Sequence, residues 1–204
     1  MEYCGSTAIS TSQVAIIQWS KAYSMQSMTA RQNLYIVSQH VQLVMNMDKE
    51  PSPEFMAGVQ TISALMGLTL AFKEKIGDEA LKITQAFAAQ MGTMIGNNIK
   101  EAAGVTGSGI QDVERVYHIW LDPMFSPNKA DISTEANKLT FTRDHPVICP
   151  AMIVAKQMNL PLEMVCTTVA NQVFSGIAKS VNPGAVYSNV QLSEQKCIDT
   201  IEIL

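Results

Sequence analysis

A chain of 204 residues, 47% of them apolar and 16% charged, is long and hydrophobic enough for one globular domain, which argues against a disordered polypeptide. At this length about 70% of the unfolded surface can be buried, so neither a disulfide framework nor a structural metal is needed to hold a core. The net charge of -4 and a supply of only three arginines, Arg31, Arg115 and Arg143, argue against the basic face that a nucleic-acid partner requires.

Residues 1–50 read as a helical arm. The first 26 or so are rich in Ser, Thr and Gln, and a helix is expected from about Thr29 to Met47, where Leu34, Val37, Val41 and Val44 recur at helical spacing. Asp48-Lys49-Glu50-Pro51-Ser52-Pro53 breaks the chain, and Ser52 can cap a helix that has Pro53 at its first position. That helix carries Phe55, Val59, Ile62, Met66 and Leu70 on one face. The next begins at Gly77-Asp78-Glu79 and runs to about Ala103, with an expected core stripe of Ile83, Phe87, Met91, Met94, Ile95 and Ile99. Gly92 and Gly96 lie four apart on it and suit close packing of another backbone.

Beyond Gly104, Gly107 and Gly109 the period shortens. Val116, His118 and Trp120 alternate with Tyr117, Ile119 and Leu121, which reads as a strand covered on both faces. Lys138–Asp144 reads as a second strand with Leu139, Phe141 and Arg143 on one side. Helices are expected from Pro150 to about Asn159 and from Pro161 to about Lys179, the latter with Val165, Val169, Val173 and Ile177 in line. Asn182-Pro183-Gly184 is a turn, and Val186–Leu192 with Cys197–Ile203 forms a terminal hairpin. The fold class is therefore α+β: N-terminal helices, then ββ-αα-ββ, with an antiparallel sheet packed on helices over residues 51–204.

No basic leader precedes the short apolar run Val14–Ile17, and no stretch approaches 18 uninterrupted apolar residues, so neither a secretory signal nor a membrane span is expected. Free thiols in a reducing cytoplasm are the natural setting for Cys4, Cys149, Cys166 and Cys197. No two of them are closer than 17 positions, which leaves a short-spaced zinc site without support. No metal is expected, and the absence of dinucleotide, P-loop, zincin and serine-elbow motifs leaves no cofactor either.

The most informative segment is Arg143-Asp144-His145-Pro146-Val147-Ile148-Cys149-Pro150. Pro150 at the first helical position makes Cys149 the N-cap, where unpaired N–H groups and the helix dipole favour a thiolate. His145 lies four residues upstream, so the two outline a nucleophile and base; a buried thiol capping a helix beside a surface histidine fits the same residues. Cys166 and Cys197 fit core packing, or a pocket shared with Cys149. In such a pocket three thiols with His145 could hold zinc or another soft metal, although the long loops between them give no local chelate signal. His118 and Trp120 fit a pocket wall, or a core histidine beside an aromatic ring. The thirteen methionines fit adaptable core filling or a pliant cavity.

Cys149-Pro150-Ala151 before an amphipathic helix, Cys166 in a second helix, the Val181-Asn182-Pro183 turn and a final hairpin with Cys197-Ile198-Asp199 together resemble the L-2-amino-thiazoline-4-carboxylic acid hydrolase-like family. Gly77-Asp78-Glu79-Ala80 leading into a long helix is similar to that family's central helix. The likeness spans about residues 54–204. It implies a hydrolase that opens a C–N bond of a small cyclic amidine, thiazoline or lactam-type carboxylate. The resemblance places Cys149 in the active pocket, with Cys166 and Cys197 as pocket or support residues. The chemistry of the residues themselves adds His145 beside Cys149 as general acid or base, Arg143 to hold a substrate carboxylate, and His118, Trp120 and Asn182 around the substrate. Family members often carry a second cysteine beside the one matching Cys197; here the neighbours are Lys196 and Ile198. The arrangement also looks like vinyl-reductase-type domains that bind a small molecule without converting it. The low charge further suggests a homo-oligomer or an assembly subunit.

Overall fold

The computed structural model describes residues 51–125, 130–144 and 148–204. The arm expected over residues 1–50, its helix from Thr29 to Met47, and His145 lie outside them. The chain divides into two units, Met1–Asn46 and Met47–Leu204, and the second is built as follows.

Helix α1 spans Pro53–Ile76 and starts where the sequence sets a cap: the Phe55 N–H donates to Ser52 Oγ at 3.0 Å, with proline at the first position. It buries Phe55, Val59, Met66 and Thr69. Gly77-Asp78 turns the chain into α2, Glu79–Ala103. The two helices meet where Thr69 and Thr84 share a hydrogen bond of 2.6 Å between hydroxyls, and each hydroxyl also lies within reach of a carbonyl one turn back on its own helix.

The buried face of α2 differs from the expected stripe. Ala80, Ala88, Gly92 and Gly96 face inward, whereas Ile83, Phe87 and Met94 are more than half exposed. The reason is backbone proximity. A methyl group added at Gly92 would overlap the Val173 carbonyl, and one at Gly176 would overlap the Ala89 carbonyl. Small residues on both helices thus let the backbones touch, and the larger apolar side chains of α2 are left to the other side.

A second correction concerns Val116–Leu121. These residues form no strand; they lie in helix α3, Ile110–Met124. Ile110, Val113, Val116, Tyr117 and Leu121 are its buried face, a helical series that also passes through the apparent alternation. Asp112 Oδ2 accepts from the Gly109 N–H at 3.0 Å and secures the start. His118 therefore points outward from a helix, and Trp120 lies on the flank of its buried face.

The sheet has four antiparallel strands, β1 Asp131–Glu135, β2 Lys138–Asp144, β3 Ala185–Leu192 and β4 Lys196–Ile203, in the order β1-β2-β4-β3. The first of the two paired strands is thus Asp131–Glu135, a polar segment without the apolar alternation that marks strands in sequence. Between the hairpins lie α4, Pro150–Met158, then α5, Leu162–Val165, a π-helical turn at Cys166–Ala170, and α6, Asn171–Val181. The result is the α+β class, with β2 and the terminal hairpin where alternation and turn residues place them.

One sheet face is buried against α3 and α6. Leu139 pairs with Ile201, Phe141 with Asp199 and Arg143 with Cys197 across β2 and β4, and Tyr187 and Asn189 stand opposite Ile201 and Asp199 from β3. Tyr117, Trp120, Phe141, Phe174 and Tyr187 fill the space above with ring centroids 4.8–6.5 Å apart, inside the favourable range for offset and edge contacts. The buried Tyr117 hydroxyl donates to the Phe174 carbonyl. Among the described residues, α1 alone is long and apolar enough, by length and composition, to cross a membrane, and 22% of that stretch is buried.

The α2–α6 contact makes a direct prediction. Gly92→Ala or Gly176→Ala forces two backbones apart and should cost about 1–3 kcal/mol, read as a lower urea midpoint at unchanged slope. A variant as stable as the parent would show that the helices are not in backbone contact.

Candidate functional site

At one end of the buried sheet face the apolar rows give way to polar ones. Arg143 on β2 and Asp199 on β4 are both buried, with side chains 9% and 1% exposed, and form an ion pair through Nη2 and Oδ2. A charge this deep is tolerated only when its partners are supplied. Arg143 Nη2 also donates to Cys197 Sγ at 3.1 Å, and the guanidinium lies 5.2 Å from the Phe125 ring centre and 5.7 Å from that of Phe174.

The second carboxylate oxygen of Asp199 is held from β3. The Tyr187 hydroxyl lies 2.7 Å from Asp199 Oδ1 and 3.3 Å from Asn171 Oδ1, and the shorter contact to a charged acceptor takes its proton. Asn189 Nδ2 donates to the same Asp199 oxygen and approaches Cys197 Sγ at 3.5 Å. The register shift after Asn189, which leaves Val190 63% exposed, bends β3 beside this cluster. Cys197 Sγ lies 3.7 Å from Asp199 Oδ2, with the thiol as donor. Arg143 Nε has no hydrogen-bond partner among the described residues.

Cys149 reaches the cluster from α4. It is the N-cap, and its sulfur accepts from the Met152 N–H at 3.3 Å, as the following proline predicts. With Leu162 and Leu192 it packs on Met152 and Cys197. Cys166, buried in the π-turn, is near enough for the charges of Asp199 and Arg143 to act on its thiol.

The expected thiolate is not the resting state. Burial pushes the Cys149 thiol up, and the Arg143 guanidinium and the N–H groups of Met152 and Ala151 offset it only in part. The same cause raises Cys197, against Arg143, and Cys166. Burial, then Asp199, raises Tyr187 as well. For Arg143 burial opposes the charge, but the Asp199 carboxylate beside it outweighs burial and holds the guanidinium firmly ionised. The cap geometry is as expected; desolvation at the site is what sequence spacing leaves out.

Beside the cluster opens a cleft of about 600 Å³ between the β3–β4 turn and the start of α5. Leu162, Leu192, Asn171 and Asn189 line it, with Thr167 and Ser193. Leu162 and Leu192 also pack against Met152 and Cys197, and Asn189 bonds to Asp199, so the cleft shares part of its wall with the polar cluster. Glu163 and Glu194 are its charged lining residues, and Glu194 pairs with Lys156 at 3.1 Å.

Among the residues singled out from sequence, Arg143, Cys149, Cys166 and Cys197 come together here. Three others stand elsewhere. His118 is solvent-facing between Glu114 and Asp122, 3.9 and 3.6 Å away, and does not line the cleft. Trp120 stacks on Phe174 at 4.8 Å, one ring removed from Arg143. Asn182 secures its turn, donating to the Ser108 carbonyl and accepting from the Gly184 N–H. Asp199, Tyr187, Asn189 and Asn171 carry the site without having been singled out. A charged residue on the same strand face as Cys197 and Ile201 was the available signal for Asp199. Among the described residues no three His, Cys, Asp or Glu side chains are grouped to hold a metal ion.

Comparison with known proteins finds no matching family model, no matching curated protein and no matching solved structure.

Two outcomes follow from the cluster. Asp199→Asn leaves a buried guanidinium without its counter-charge and should cost about 3–5 kcal/mol, whereas the double change Arg143→Met with Asp199→Leu should cost far less; equal losses in a denaturation series would show that the pair is open to water. The folded state also holds its thiol protons more tightly than the unfolded chain. Stability should be complete below the ordinary thiol pKa of about 8.5 and decline as pH rises past it. Alkylation of Cys149 should show an apparent pKa above that value, and a profile centred below it would contradict the burial argument.

Proposed function

We propose that this chain is a hydrolase-type enzyme that opens a C–N bond of a small cyclic amidine, thiazoline or lactam-type carboxylate in the cleft beside the cluster of Cys149, Arg143, Cys197 and Asp199. The observation that carries the reading is the buried Arg143–Asp199 pair between two thiols. A buried ion pair contributes little to stability compared with apolar residues of the same size. Its presence beside the cleft is therefore better accounted for by a task.

The roles follow from position. Cys149 is the one half-buried residue of the three described cysteines and acts as nucleophile once its proton is drawn off, because the guanidinium and the helix N–H groups favour the sulfur anion against burial. Asp199, the acceptor of the Cys197 thiol, is the nearby carboxylate through which a proton can pass. Arg143, with Nη2 already committed to Asp199 and Cys197, supplies the positive charge for a substrate carboxylate. Sulfur adds to the ring carbon, the C–N bond breaks as nitrogen takes the proton, and water releases the acyl or amidino group from sulfur. The likeness of the C-terminal half to the thiazoline-carboxylate hydrolase-like family supports the same substrate class, and the free thiols of Cys149, Cys166 and Cys197 suit the cytoplasm.

A second reading, a binding module that holds such a carboxylate without converting it, has one observation in its favour: burial keeps all three thiols protonated. The test is to follow ring opening of cyclic amidine, thiazoline and lactam carboxylates by mass spectrometry, with binding measured alongside by calorimetry. Turnover that falls at least about 100-fold in Cys149→Ser, with binding retained, is the expected result. Binding without turnover in the parent protein would establish the second reading, and neither activity would overturn both.

A further inference from the structure

The outward side of the α1–α2 hairpin carries a second feature that the cleft does not use. Leu68, Phe72 and Ile76 on α1, and Ile83, Phe87 and Met94 on α2, are each between 49% and 60% exposed. At 3.6 residues per turn each set forms one stripe. The Thr69–Thr84 hydrogen bond marks the seam between the helices. On α1 the stripe lies across that seam from Phe55, Val59 and Met66, and on α2 across it from Ala88, Gly92 and Gly96. The two stripes therefore make one continuous apolar surface that faces away from the sheet and the cleft.

Its size is informative. Six large apolar residues, each offering roughly 100 Å² (half of what a large side chain carries), present on the order of 600 Å². That is at the upper end of what a monomer leaves in one patch and approaches the roughly 800 Å² per partner of a standard interface. The charges around the hairpin tip select among partners. Lys73, Lys75 and Lys82 alternate with Glu74, Asp78 and Glu79, and Lys73–Asp78 at 2.9 Å and Lys82–Glu79 at 3.2 Å are already paired. A rim of three positive and three negative groups does not attract an anionic lipid surface or a partner of single sign. It does match itself when turned about a two-fold axis, where each sign can meet its opposite.

We propose that this face pairs with the same face of a second copy of the chain, giving a two-fold dimer through the α1–α2 hairpins with both clefts on the outside. The apolar stripe of α2 then becomes core in the dimer, although it is surface in one subunit.

The experiment is sedimentation equilibrium of the full chain from about 1 to 100 µM, a range that spans micromolar dissociation constants. A reversible monomer–dimer equilibrium is expected, with Phe87→Glu weakening it at least about 30-fold, while circular dichroism and thermal unfolding of the monomer stay unchanged. Ile83→Lys serves as the second variant should Phe87→Glu fail to fold. A parent chain that stays monomeric throughout would overturn the proposal. So would a dimer that both variants leave intact, or a monomer that floats with phosphatidylcholine vesicles through this face.

Discussion

A guanidinium and a carboxylate buried side by side at one end of the sheet are the constraint to which the rest of the site answers. Neither charge could remain there alone, and the pairing fixes β2 beside β4 in a single register, because a slip of one residue would turn Arg143 and Asp199 to opposite faces. The remaining valences of the pair recruit their surroundings. Tyr187 and Asn189 on β3 satisfy the second carboxylate oxygen, Cys197 accepts from the guanidinium, and Phe125 and Phe174 lie beside its cationic plane. The terminal hairpin, the central strand and α6 are thereby tied to one small polar cluster.

The helical side obeys a different constraint, close approach of backbones. Gly92 and Gly96 on α2 and Gly176 on α6 exchange side-chain volume for contact between the helices themselves. A face of α2 made of alanine and glycine becomes its inner face. Since a helix has only one inner face, the isoleucine, phenylalanine and methionine of the other stripe are turned outward. The same packing choice that seats α6 over the sheet thus creates the apolar surface on the opposite side of the hairpin.

The two constraints meet at the cleft. The π-turn at Cys166–Ala170 joins α5 to α6 and lets Cys166 face the thiols from the helical side, while α4 brings Cys149 with its cap N–H groups. Burial leaves these sulfurs neutral even though a permanent cation stands among them. The environment opposes ionisation of the thiols through desolvation and favours it through one fixed charge, and desolvation is the larger of the two. The balance shifts with whatever a ligand does to water in the cleft.

What the sequence by itself determined was local: the cap at Ser52 and Pro53, the cap at Cys149 and Pro150, the alternation of Lys138–Asp144, and the terminal hairpin. Each depends on residues a few positions apart, and each is found where spacing puts it. Arg143 and the acid at 199 were also legible in principle, as opposite charges on strand faces otherwise lined by Leu139, Phe141 and Ile201. Tertiary structure decided which of two possible periods Val116–Leu121 obeys, because the residues that settle it, from Ile110 to Leu121, become one face only against the sheet. It also decided that polar Asp131–Glu135 is a strand, through pairing with β2, and that small residues rather than large ones line the inner face of α2. Chain-local chemistry sets where elements begin and end; which face is buried, and what charge a buried thiol carries, depends on neighbours from distant parts of the chain.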